Sequence, residues 1–214
     1  MSSLAVLIPV KSSGAKSRLS KILSQSERRE FVALLLSGLL AELSKARLLR
    51  ATYVISSDEE TLSRASREGA TPIREAGDEG VNSAVTLGIE SVNGATSYLV
   101  LPSDLPLATS SQIRHLLALG WSTGRAVIVP SLTFNGTNAL FFAPSSGLEL
   151  SYDDDSFWNH LESAGREGLR CAISTMTGLM FDVDSPADLE NLARVRSERP
   201  SVRFARRMCQ WPGY

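Results

Sequence analysis

Three apolar runs, each ending in a polar turn and followed by a capped helix, dictate what this chain can fold into. The runs are Leu4-Ala5-Val6-Leu7-Ile8-Pro9-Val10, Ala51-Thr52-Tyr53-Val54-Ile55 and Tyr98-Leu99-Val100-Leu101. A strand with one wet face alternates apolar and polar residues, so runs without that alternation are strands covered on both faces, as in a parallel sheet. Ser24 with Glu27 is a capping box ahead of Phe31, Leu34, Leu35, Leu39 and Leu43 at helical spacing. Ser57 with Glu60 opens a helix that closes at Gly69, and Thr109 with Gln112 opens one bearing Ile113, Leu116, Leu117 and Leu119. The loop Gly77–Asn82 leads into a helix from Ser83 to Val92. This alternation up to Gly120 predicts an α/β fold, a three-layer doubly wound sheet that is mostly parallel.

Past Gly120 the pattern loosens. Strands are expected over 126–130, 138–143, 169–173 and 179–183, giving an antiparallel part in the C-terminal half, with a helix over 156–164. Ser185-Pro186-Ala187-Asp188 has an N-cap Ser and a first-turn Pro and so starts a last helix. No repeat or linker divides the chain, which predicts one domain over 1–196. Residues 197–214 then form a basic, aromatic arm with Arg199, Arg203, Arg206, Arg207, Phe204 and Trp211. Exposed aromatics need cover, so this arm packs on its own subunit or on a partner, and a homodimer is the expected assembly.

The charge balance narrows the partners. With 22 Lys+Arg against 23 Asp+Glu there is no excess of positive charge to hold a nucleic acid, whereas a small phosphorylated ligand needs only a local cluster. Cys171 and Cys209 are far apart and lack metal-ligand spacing, which argues against zinc and against a disulfide framework. The first apolar run has no basic leader and is too short to span a bilayer. A cytoplasmic protein without a membrane segment is expected.

The chemistry-bearing residues follow the strand ends. Lys11, Lys16 and Arg18 come after the first run, Ser57 and Asp58 after the second, and Ser103 and Asp104 after the third. In parallel strands these clusters meet along the carboxyl edge of the sheet, where ligands of open α/β sheets bind. Asp182 and Asp184, two apart in Phe181-Asp182-Val183-Asp184, are expected on one side of a strand. Each acid also has a plain turn or surface reading, because Asp hydrogen-bonds local backbone. Together, cations and carboxylates on one edge suggest a nucleoside triphosphate with its Mg²⁺, which takes one or two carboxylates plus phosphate oxygens. Gly14-Ala15-Lys16-Ser17 falls short of a P-loop, since Ala15 and Val10 stand where its glycines belong. No GxGxxG follows the first run, and His115 and His160 are isolated along the chain.

The chain resembles the 2-phospho-L-lactate guanylyltransferases of coenzyme F-420 biosynthesis at a series of motifs in order. These are Ile8-Pro9-Val10-Lys11, Gly14-Ala15-Lys16-Ser17-Arg18-Leu19, Ser57-Asp58, Gly80-Val81-Asn82, and Leu101-Pro102-Ser103-Asp104-Leu105-Pro106. Gly136-Thr137-Asn138-Ala139-Leu140, Ser156-Phe157 with His160, and Asp182-Val183-Asp184 complete the series. The resemblance implies a GT-A-like nucleotidyltransferase domain that moves GMP from GTP to 2-phospho-L-lactate with Mg²⁺ and releases pyrophosphate. It implies Asp104, Asp182 and Asp184 as metal ligands, Lys16 and Arg18 with Lys11 on the triphosphate, and catalysis by Lys16, Arg18 and Asp104. By the same likeness Ser57, Asp58, Asn82, Pro102 and Ser103 line the nucleoside, and Thr137, Asn138 and Ser156 hold the acceptor. The alternatives are another acceptor (phosphoenolpyruvate, 3-phosphoglycerate, a sugar phosphate or molybdopterin), another nucleotide such as CTP, or a non-catalytic nucleotide-binding subunit. A glycosyltransferase using Asp182-Val183-Asp184 as its DxD is disfavoured, because that motif would be expected mid-chain. One departure stands out: the family has Phe-Gly before the Ser-Phe pair, and this chain has Tyr152-Asp153 followed by Asp154 and Asp155. Three acids near an anionic acceptor repel it unless they face solvent or another metal.

Overall fold

The apolar run Leu4–Pro9 forms β1, the hub from which the sheet grows in both directions. The computed structural model describes residues 3–11 and 16–210. The elements that follow β1 are α1 (Gln25–Lys45), β2 (Thr52–Ser56), α2 (Glu59–Arg67), β3 (Thr71–Arg74) and α3 (Val81–Ser91). Next come β4 (Ser97–Val100), α4 (Ser110–Thr123), β5 (Ala126–Pro130), β6 (Thr137–Phe142) and α5 (Ser156–Arg166). The chain finishes with β7 (Cys171–Ile173), α6 (Thr177–Met180), α7 (Pro186–Ala193) and α8 (Pro200–Met208).

The sheet order is β3-β2-β1-β4-β6-β5-β7. Strands β3, β2, β1 and β4 run parallel, β6 is antiparallel to both β4 and β5, and β7 is parallel to β5. Among the described residues only β6 therefore runs against the rest, which is the mostly parallel α/β sheet expected, with its antiparallel part in the C-terminal half. From β1 the chain winds outward through β2 and β3 and returns to β4 on the other side. The loops after β1 and β4 diverge at this switch point and leave a crevice between them.

Strand periodicity places the core. Val6, Ile8, Val54, Leu99 and Leu101 face one layer, with Leu36, Leu39, Leu40 and Leu43 of α1 and Ile113, Leu116 and Leu117 of α4. Their neighbours Ala5, Leu7, Ile55, Tyr98 and Val100 face the opposite layer, with Ala84 and Val85 of α3 and Phe157 and Ala164 of α5. Burial on both faces is why these runs carry no polar alternation. Gly120 lets α4 lie on β6: a Cβ there would come within 2.3 Å of the Phe141 ring.

Two local expectations differ from the structure, and one strand, β3, was not anticipated. The N-cap of α2 is Asp58 rather than Ser57, its carboxylate accepting from Thr61 N and Oγ1 at 2.8 and 2.7 Å. Edge strand β3 carried no apolar run to reveal it, and it tolerates Pro72 because edge strands do. Residues 179–183 are not a strand. One helical turn, α6, buries Leu179 and Met180, and an extended stretch then delivers Asp182 and Asp184. A short apolar run fits a buried helical turn as well as a strand.

The C-terminal segment packs on this subunit. Phe204 of α8 stacks on Phe31 of α1 at 5.0 Å between centroids, in a cluster with Val183, Leu189 and Leu192. Arg199, just before α8, donates from Nη1 to the carbonyls of Pro106 and Ala108 at 2.6 and 2.8 Å and pairs through Nη2 with Glu42 at 3.4 Å. The tail thus braces the loop that carries Asp104. Arg199→Ala, which leaves both carbonyls without their donor while Glu42 keeps Lys45 and the Ser110 N–H, is expected to cost about 1–3 kcal/mol. Urea unfolding checks this as a lower midpoint at unchanged slope. No helix among the described residues is long and apolar enough to cross a membrane.

Candidate active site

The loop after β1 presents Lys11, exposed and lining the cleft described below. Gly14 and Ala15 lie outside the described residues, as does Trp211 of the tail. Lys16 has φ 57 and ψ 40, a left-handed conformation that costs a non-glycine residue about 1–2 kcal/mol. The turn is held by Leu19 N donating to Lys16 O at 2.9 Å, which opens a short 3-10 turn over Ser17–Lys21. Strain of this kind persists where surrounding contacts fix it. Here they are ionic: Lys16 Nζ lies 2.8 Å from Asp104 Oδ2 and 2.5 Å from Asp184 Oδ1, with 9 % of its side chain exposed. Burial disfavours the ammonium, but Asp104 and Asp184 outweigh it and hold the Lys16 pKa above the ordinary lysine value.

The carboxylates come from distant parts of the chain. Asp104 follows β4, and Asp182 and Asp184 flank Val183, which is buried in the α1–α7–α8 cluster. Burial pushes the Asp182 carboxyl up to about 6, and the negative charge of Asp104 adds to this. Asn138 Nδ2 opposes the shift by donating to Asp182 Oδ1 at 3.0 Å, while also donating to Met180 O at 2.8 Å. Its amide hydrogens are thus directed at the Asp182 loop. No three acid, His or Cys side chains among the described residues form a preformed metal cage. Asp104 and Asp184 nonetheless aim oxygens at one cation, the Lys16 ammonium. A hard-oxygen donor set of one or two carboxylates suits Mg²⁺, which takes its other ligands from water and phosphate.

On the opposite wall, the start of β6 meets the start of α5. Thr137 N donates to Ser156 Oγ at 2.9 Å, and Thr137 Oγ1 lies 2.9 Å from His160 Nδ1. His160 is fully buried, with Nε2 accepting from Ser151 N at 3.1 Å, and burial lowers its pKa to about 4. Beyond the motif match, nothing local in the sequence singled out His160. Its spacing of four from Ser156 puts both on one face of α5, the signal that was available.

These walls enclose a cleft of ≈ 710 Å³. Lys11, Lys16 and Arg18 line it with Pro102, Ser103 and Asp104, as do Asp182 and Asp184. Thr137, Asn138 and Ser156 line it from the other side. Three expected nucleoside residues do not join that lining. Asp58 is used as the α2 cap, and Ser57 lies beside it. Asn82 is tied to the rim, accepting from Tyr152 N at 2.7 Å and donating to Asp153 Oδ2 at 3.0 Å. Asp153, Asp154 and Asp155 are exposed and also line the cleft on the side of Ser156, with Asp153 accepting from Asn82, so an anionic acceptor meets three acids there.

A mostly parallel sheet whose switch-point crevice sets cations against carboxylates suits an α/β protein that binds a phosphorylated ligand. The model of the family described as guanylyl transferase CofC like matches residues 4–209. A phosphoenolpyruvate guanylyltransferase of Sphaerobacter thermophilus is 36 % identical over 195 residues, covering 90 % of this chain and 93 % of that protein. A 2-phospho-L-lactate guanylyltransferase of Methanocaldococcus vulcanius is 31 % identical over 188 residues, covering 87 % and 82 %. A solved cytidylyltransferase from Leptospira borgpetersenii shares the fold, with a TM-score of 0.64 at 16 % identity over 98 % of this chain and 95 % of that one. The chain belongs to the CofC-like guanylyl transferase family, and it is a nucleotidyltransferase enzyme.

Proposed function

We propose that this enzyme transfers GMP from GTP to the phosphate of a small phosphorylated three-carbon acid, releasing pyrophosphate, as a step of coenzyme F-420 biosynthesis. The observation that carries the reading is the shared cleft. Lys16 sits between Asp104 and Asp184 on one wall, and the Thr137 and Ser156 hydroxyls stand on the other. Two anions must meet for this reaction, and only a site with cations and donors on both sides brings them together.

In this reading Lys16 and Arg18, with Lys11, neutralise the triphosphate, and Pro102 and Ser103 border the nucleoside. Asp104 and Asp184, with Asp182 beside them, would hold Mg²⁺, which supplies charge neutralisation on the phosphates and the leaving pyrophosphate. Thr137 and Ser156 hold the acceptor. One acceptor phosphate oxygen forms the new bond to the α-phosphorus, and the bond from that phosphorus to the bridging oxygen of the pyrophosphate breaks. A phosphate monoester has its second pKa near ~6 and is mostly dianionic at neutral pH. The nucleophile needs no general base, in keeping with a His160 that is buried and occupied.

Among acceptors, phosphoenolpyruvate is the first choice over 2-phospho-L-lactate. It leans on two relatives at 36 % identity that carry its name, against 31–34 % for those named 2-phospho-L-lactate guanylyltransferases, although further phosphoenolpyruvate-named relatives stand at 29–30 %. The test is pyrophosphate release with Mg²⁺, each of GTP, CTP, ATP and UTP, and each of phosphoenolpyruvate, 2-phospho-L-lactate and 3-phosphoglycerate. Release requiring GTP and one acid is expected. Preference for CTP would overturn the guanylyl assignment, and release with no acceptor present would overturn the transfer.

A further inference from the structure

We propose that His160 is a positioning residue, holding the Thr137 hydroxyl as a hydrogen-bond donor toward the acceptor anion. The backbone N–H of Ser151 can only donate. It lies 3.1 Å from His160 Nε2, so that nitrogen presents its lone pair. A neutral ring then carries its proton on Nδ1, 2.9 Å from Thr137 Oγ1. A protonated Nδ1 cannot accept, so Thr137 Oγ1 accepts and its own hydrogen is directed elsewhere. Ser156 is set the same way: its Oγ accepts from Thr137 N at 2.9 Å and keeps its hydrogen for another partner. Both hydroxyls belong to residues that line the cleft. One lone pair of each is engaged by a protein donor, and neither O–H is used on that donor, which leaves two O–H groups suited to a phosphate or carboxylate.

The opposite tautomer would undo this. With the proton on Nε2, the ring would face the Ser151 N–H with another N–H, and Thr137 would donate to Nδ1 and turn lone pairs toward an anion. The fully buried ring is covered by Tyr152 at 4.9 Å and 71°, the titratable side chain shown against it, and burial keeps it uncharged at neutral pH against the opposing pull of a Ser156 backbone hydrogen bond. His160 touches neither substrate in this account and acts through Thr137.

The acceptor side of this inference rests on the function proposed above, so its test has one readout that does not need turnover. Ring ¹⁵N spectra of the intact protein read the tautomer directly. The chain has only two histidines, and His115→Gln removes the other. An Nδ1–H ring that stays neutral from pH 8 to below pH 5 is expected, and an Nε2–H or charged ring at pH 7 would overturn the proposal whatever the substrate. In steady state with GTP and phosphoenolpyruvate, His160→Leu is expected to raise the acceptor KM by about tenfold while the GTP KM stays within about twofold. His160→Asn, whose amide places an N–H near the Nδ1 position, is expected to recover most of that loss. Equal rises in both KM values, or no rescue by His160→Asn, would reduce His160 to a packing residue.

Discussion

Asp104→Asn is expected to lower kcat for pyrophosphate release on the order of 10³-fold, about 4 kcal/mol of transition-state stabilisation. The substitution keeps shape and removes charge. Asp104 is one of two carboxylates that meet Lys16 Nζ, and it sits at the carboxyl end of β4, beside the switch point. With Asn there, the proposed Mg²⁺ loses an anionic ligand, and Lys16 is left to Asp184. About a quarter of the side chain is exposed, and the strand beneath it is buried on both faces, so the fold is expected to persist. Stopped assays with saturating GTP and acceptor read the loss, and urea unfolding serves as the control. Turnover within tenfold of the parent would place the metal elsewhere.

Lys16→Met is the second large effect, with an expected loss of about 10²–10³-fold in kcat/KM, mostly through the GTP KM. Met keeps the apolar stem and removes the ammonium that the structure places 2.8 and 2.5 Å from two carboxylates. The same change has a pH signature in metal-free buffer. Asp182 already titrates at about 6, above the ordinary value of 3.8, because of burial and the charge of Asp104. A carboxyl raised in the folded state destabilises as it ionises, so its cost grows as pH rises from about 4 to about 6. Without Lys16, Asp104 and Asp184 lose the ammonium between them and repel each other and Asp182 more strongly. The variant is therefore expected to lose stability with rising pH more steeply than the parent, measured by urea midpoints. A parallel pH dependence would show that Lys16 is not what holds these acids together.

Much of this arrangement was legible in residue pattern alone. Runs such as Leu4–Pro9 and Tyr98–Leu101 are buried on both faces, and that burial erases polar alternation in a way a sequence displays. The capping boxes at Ser24, Thr109 and Ser185 all form, because a cap is a contact three residues long. At Ser57 the same rule was ambiguous. Ser57 with Glu60 and Asp58 with Thr61 are frames one residue apart, and the structure uses the second. Strand β3 was silent, since an exposed edge with Pro72 needs no apolar pattern.

The site divides along the same line. That cations and acids follow strand ends could be read directly, and the sheet does bring Lys16 to Asp104. Which partner each side chain takes could not. Asn138 meets Asp182 across 44 residues and His160 meets Thr137 across 23, contacts set by how β6, α5 and the 181–184 stretch pack rather than by any local spacing. The strand that was expected to carry Asp182 and Asp184 is absent, yet the acids arrive at the cleft. Val183 is anchored in the core between them, which leaves both flanking carboxylates directed away from it.

The most direct test of guanylyl transfer is ³¹P spectroscopy of the enzyme with Mg²⁺, GTP and phosphoenolpyruvate. The expected result is a new pair of coupled resonances from an unsymmetrical diphosphate, growing in step with pyrophosphate and absent when the acceptor is left out. Pyrophosphate formed with GMP and no such pair, or the same pair formed faster from CTP, would contradict it.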